Sequence, residues 1–133
     1  MMVRDAKPED FAEIEQIHAA MGMDYALPEL NHPLFLVRKV TIDDNGAVIG
    51  ACFLRITAET YLWLKPDASP RDKVDVMNEM QPEVLRAAWQ NGLDDIEARI
   101  PETVERRFQK RLNQLGWSKN RSGWSPWTVA TRA

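Results

Sequence analysis

The chain has 133 residues, 44% hydrophobic and 28% charged, the balance of one ordinary globular domain with room for a single core. Its 17 Lys and Arg stand against 20 Asp and Glu for a net charge of -3, which supplies no overall basic surplus for a nucleic-acid binder. The apolar runs are strand-sized, one cysteine excludes an intrachain disulfide, and the N-terminus has no apolar signal region, so a cytoplasmic, non-membrane protein is expected.

Met2 to Arg4 reads as a short opening strand. Pro8, Glu9 and Asp10 then suit the first turn of a helix, where a missing amide costs nothing and acids meet the positive dipole end. Phe11, Ile14, Ile17 and Met21 form its apolar stripe, and Gly22 ends it. Residues 23–32, with Pro28, read as a loop or a short second helix. Leu34 to Ile42 is rich in β-branched and apolar residues and runs into Asp43-Asp44-Asn45-Gly46. Asn-Gly between two such runs predicts a hairpin, because both residues tolerate positive φ. The return strand, Val48 to Ile56, is apolar on both alternating sets and is expected at the centre of a sheet covered on both faces. Cys52 would then be core. Thr57 to Thr60 reads as a turn and Tyr61 to Leu64 as a third antiparallel strand.

Ser69 as N-cap, Pro70 in the first turn and Asp72 placed for a capping box open the next helix. Val74, Met77, Met80, Val84 and Ala88 supply its buried stripe; Pro82 should kink or interrupt it, and Asn91-Gly92 stops it. Ile96, Ala98 and Ile100 alternate with Glu97 and Arg99 as in a strand with one wetter face. Pro101-Glu102-Thr103 starts a last helix with the stripe Val104, Phe108, Leu112 and Leu115, capped by Gly116. Trp117 to Thr131 is expected to add one or two strands broken near Gly123 and Pro126.

That order, β-α-(α)-β-β-β-α-β-α-β, resembles the GNAT (Gcn5-related N-acetyltransferase) superfamily over nearly the whole chain. Arg4-Asp5-Ala6 followed by Pro8-Glu9-Asp10 is similar to the family's start. Asn45-Gly46-x-Val48-Ile49-Gly50 is similar to its second hairpin and Leu64-x-Pro66-Asp67 to the end of its fourth strand. Leu112-x-x-Leu115-Gly116-Trp117 is similar to its late Gly-aromatic signature, and the nearest likeness is to short members of phage and prophage origin. The resemblance implies an α/β fold with a mostly antiparallel twisted sheet flanked by helices. It also implies acetyl-CoA or another acyl-CoA as cofactor, no metal, and a small-molecule or protein amine as acceptor.

On the matching positions, the cofactor would be held by Leu64, Ser69, Arg71, Asp72, Lys73 and Val74. Family members use a glycine-rich turn there, whose amides approach the pyrophosphate at a helix N-terminus. This chain has no glycine between Gly50 and Gly92, and Asp72 places a carboxylate where phosphate charge belongs. At about 4 Å, like charges repel by a few kcal/mol even at an effective dielectric of about 20. The family's tyrosine acid, four residues before the late glycine, is replaced by Leu112, which leaves Tyr61 as substitute acid and Glu59, near the sheet's splayed centre, as general base. Two functions follow: acyl transfer to an amine, or a non-catalytic scaffold used for binding or assembly.

The remaining residues have bland readings. Glu59 also reads as a solvated turn residue, and His18 and His32 have no metal-ligand spacing. Arg106, Arg107, Lys110 and Arg111 read as a solvated helix face with i,i+4 pairing to Glu102 and Glu105. Trp117, Trp124 and Trp127, interleaved with Lys119, Arg121 and Arg132, suit a sheet edge or an oligomer interface more than base stacking.

Overall fold

A computed structural model describes residues 1–119 and 127–131. The element order is β1 (Met2–Asp5), a 3-10 turn (Pro8–Asp10), α1 (Phe11–Met21), β2 (Phe35–Ile42), β3 (Val48–Arg55), α2 (Pro70–Gln90) and α3 (Glu102–Gln114). The described chain is thus α/β, with three antiparallel strands in the order β1-β2-β3.

β1 is drawn onto the sheet beside β2, with Val3 opposite Thr41 and Asp5 opposite Lys39. Asp10 locks the chain's exit from this strand. Its carboxylate accepts from Arg4 Nη1 at 2.7 Å, Arg4 Nη2 at 2.9 Å and the Lys7 amide at 2.7 Å. These bonds turn the backbone into α1, which ends at Gly22 with φ 65°. Ile14 of α1 packs with Leu30, Val40, Ile42 and Val48 as the main core, flanked by Ala6, Phe11, Ile17, Leu27 and Phe53. Val40 is only 1% exposed. Met21, the fourth member of the expected stripe, lies outside this core and is exposed.

The hairpin forms where Asn45-Gly46 predicted it, joining β2 to β3, but by a different turn. Only Gly46 takes positive φ, at 83°. Asp43 organises the rest: its Oδ1 accepts from the amides of Asn45 and Ala47, both at 2.9 Å. An aspartate that caps the turn amides lets Asn45 stay at negative φ.

Three expectations about the sheet need correction. Among the described residues Val48 to Ile56 is not central: β3 is an edge of the three-stranded sheet, with Cys52 exposed and Leu54 57% exposed. α1 covers one face of the sheet, and no helix packs on the other among the described residues. A strand apolar on both faces is therefore covered on one. Tyr61 to Leu64 does not pair with β3. The backbone just before it takes a parallel partner instead: the Thr60 amide donates to the Glu97 carbonyl and the Glu97 amide to the Ala58 carbonyl, both at 2.8 Å. Ile96 to Ile100 keeps its alternation of half-buried and exposed residues but pairs only at Glu97. The expected last strands fall partly on residues 120–126, outside the described residues; 117–119 and 127–131 form none.

Both long helices are set by their ends. Ser69 caps α2, its Oγ accepting from the Asp72 amide at 3.0 Å, which is one half of the expected capping box. α2 runs on through Pro82 without interruption. The missing amide forfeits one helical bond, to residue 78, and the turns on either side hold the helix. At its end Leu93 N donates to Ala88 O and Gly92 N, at φ 80°, to Trp89 O. The same pair of bonds closes α3, from Trp117 N to Leu112 O and from Gly116 N to Asn113 O. This left-handed glycine motif turns Trp117 back over its own helix.

Candidate functional site

Two segments are joined at Glu59 and Glu97. Past Thr60 and Glu97 no backbone bond joins them among the described residues, and residues 61–64 and 98–101 line, with α2 and α3, a cleft of about 370 Å³. Its walls come from Tyr61 and Trp63, from Met77 and Val84 of α2, and from Phe108 and Leu112 of α3. That volume is in the range of small-molecule sites, which are mostly apolar with a few placed polar groups.

The polar groups of the cleft are few. Gln81 spans the two helices: its Nε2 donates to Leu115 O and its Oε1 accepts from Trp117 Nε1, both at 2.7 Å. It thereby holds the indole in the wall. Thr60 lies beside the parallel pairing, and Arg99 stands at the rim with its Nε 3.7 Å from Glu59 Oε1. Tyr61 and Trp63 stack on each other, centroids 5.7 Å apart and planes 9° from parallel, while remaining 64% and 82% exposed.

The predicted site residues separate into two places. Glu59, Tyr61 and Leu64 are at the cleft: Tyr61 and Leu64 in its lining, Glu59 against Arg99. Ser69, Arg71, Asp72, Lys73 and Val74 occupy the first turn of α2 and line no part of the cleft. At that turn Pro70 has no amide, the Asp72 amide is taken by Ser69 Oγ, and the Lys73 amide bonds Ser69 O at 3.0 Å. Lys73 Nζ donates to Pro66 O at 3.1 Å. Only the Arg71 amide is left to meet an anion, beside the Asp72 carboxylate, so the turn does not fit a pyrophosphate.

Sequence reasoning missed Gln81, Arg99 and Trp117 as cleft residues. A glutamine inside an apolar helical stripe, next to Met80, was the available signal for the first.

Other candidates resolve simply. Cys52, expected in the core, is exposed on the edge strand. His18 packs edge-on against Tyr25, with centroids 4.9 Å apart. His32 accepts from the Leu34 amide through Nδ1 at 3.1 Å, and its Nε2 lies 3.1 Å from Asp94 Oδ2. Burial alone would raise the Asp94 carboxyl, but the nearby Arg55 guanidinium at 2.7 Å holds it below the ordinary value. These contacts pin residues 94–97 to the sheet, and with them one wall of the cleft. The expected i,i+4 pairing on α3 does not form: Glu105 pairs with Lys119 at 3.1 Å, and Arg106, Arg107, Lys110 and Arg111 have no ion pair among the described residues. Trp127 is exposed, and Trp124, Arg121 and Arg132 lie outside the described residues.

Among the described residues no helix is long and apolar enough to cross a membrane, and no group of His, Cys, Asp and Glu could hold a metal ion. Compared with protein-family models, curated proteins and solved structures, the chain has no significant match.

Proposed function

We propose that this chain is a binding module on a GNAT-like scaffold, which holds an apolar group in the cleft between α2 and α3 and does not itself transfer acyl groups. One observation carries the reading: the cleft is mostly apolar and, among the described residues, contains no acid-base pair aimed into it, Glu59 being directed to Arg99. A soluble protein leaves such a concavity open when something is meant to fill it. Trp63 and Trp117 line the cleft, so their emission reports occupancy. Titration with 1-octanol should change that emission saturably, while acetyl-CoA should leave it unchanged at micromolar concentration. No saturable response to the alcohol overturns the proposal.

Acyl transfer remains the second reading, favoured by the short parallel contact at Glu59 and Glu97, which does not continue into a ladder among the described residues. The GNAT resemblance implies a splayed centre, with Glu59 as base and Tyr61 as acid. Micromolar binding of acetyl-CoA, with release of free thiol in the presence of amines, would establish this reading in place of the first.

A further inference from the structure

Among the described residues the cleft has one charged residue in its lining, Arg99. The other polar side chains there are the neutral Thr60, Tyr61, Gln81 and the indoles of Trp63 and Trp117. Arg99 belongs to the outward set of the 96–100 alternation and is 72% exposed, so its head stands in the mouth of the cleft. Its only ionic partner among the described residues is Glu59, which approaches Nε at 3.7 Å, beyond hydrogen-bond length. Both terminal nitrogens of the guanidinium have no partner among the described residues. A planar fork of N–H donors at the rim of an apolar cavity matches a carboxylate on an apolar body.

We propose that the ligand of this cleft is an amphipathic monocarboxylate, such as a medium-chain fatty acid. Its apolar body lies between α2 and α3, and its carboxylate sits on Arg99. The inference rests on the apolar-cleft reading above and adds the charge and orientation of the ligand. A phosphate ester fits less well, because among the described residues no second cation lines the cleft to meet a second negative charge. Glu59 has a defined part: it occupies Arg99 loosely and repels an incoming carboxylate, so it tunes affinity downward.

The test titrates the full chain with octanoate and with 1-octanol, followed by tryptophan emission, in wild type, Arg99→Gln and Glu59→Gln. Octanoate should bind more tightly than octanol to the wild type. Arg99→Gln should weaken octanoate by about threefold to fivefold, the scale of a partly exposed ion pair, and leave octanol unchanged. Glu59→Gln should tighten octanoate alone, and Arg99→Lys should restore part of the preference. Equal affinity of the two ligands in wild type, or equal weakening of both by Arg99→Gln, overturns the carboxylate assignment while the cleft reading stands. Binding of neither overturns both.

Discussion

Removing the Asp10 carboxylate gives the sharpest test of how the N-terminal half is held. Its side chain is 8% exposed and accepts three bonds, two from Arg4 and one from the Lys7 amide. The Arg4 hydrogen bonds, seconded by the Lys7 amide, lower its pKa from 3.8 to about 2. At 1.36 kcal/mol per unit, that difference corresponds to about 2 kcal/mol of folding stability. The folded value is depressed, so this stability is fully present above the unfolded value, near 3.8, and is lost as pH falls through about 2. Asp10→Asn keeps the shape but leaves Arg4, 29% exposed on its side chain, without its anion. Urea denaturation at neutral pH should show the variant less stable by about 2 to 3 kcal/mol, since removing one partner of a mostly buried pair also strands the other. Repeated between pH 4 and pH 2, the gap should close as the wild-type carboxylate takes up its proton. A gap that stays constant over that range would show that the loss is not linked to the carboxylate's ionisation, which would refute this account.

Ser69→Ala should destabilise the chain by about 1 kcal/mol in the same denaturation assay, because the Asp72 amide loses its only acceptor. Gly46→Ala should cost about 1 to 2 kcal/mol: no atom lies within 4 Å of the added Cβ, so the whole effect comes from φ at 83°. Gln81→Leu should remove both bonds that tie α2 to Leu115 and Trp117, costing about 1 to 3 kcal/mol and shifting the Trp117 emission. An unchanged spectrum would mean the indole is held by packing alone. Val40→Ala should cost about 2 kcal/mol or more by thermal unfolding, as expected at a site only 1% exposed.

What could be read directly from the chain was local. Pro8 with Glu9 and Asp10, Gly22, Asn45-Gly46, Ser69-Pro70, Asn91-Gly92 and Gly116 each mark an element boundary that the structure contains, because caps and turns depend on backbone constraints within a few residues. The apolar periodicity of Phe11, Ile14 and Ile17 likewise identified the face of α1 that meets the sheet. Tertiary structure decided the pairing. The apolar alternation of Val48 to Ile56 is the same whether a second helix covers the outer face or leaves it open, and among the described residues no helix covers it. The chain after β3 was expected to turn at Thr57 to Thr60 and return along β3 through Tyr61 to Leu64; instead Ala58 and Thr60 bond in parallel to Glu97, 37 residues or more away in sequence. The cleft follows from that choice. Gln81, Arg99 and Trp117 are 18 residues or more apart in the chain, and no local pattern joins them; only the placement of α2, α3 and the segments after the Glu59–Glu97 contact around one cleft brings them together.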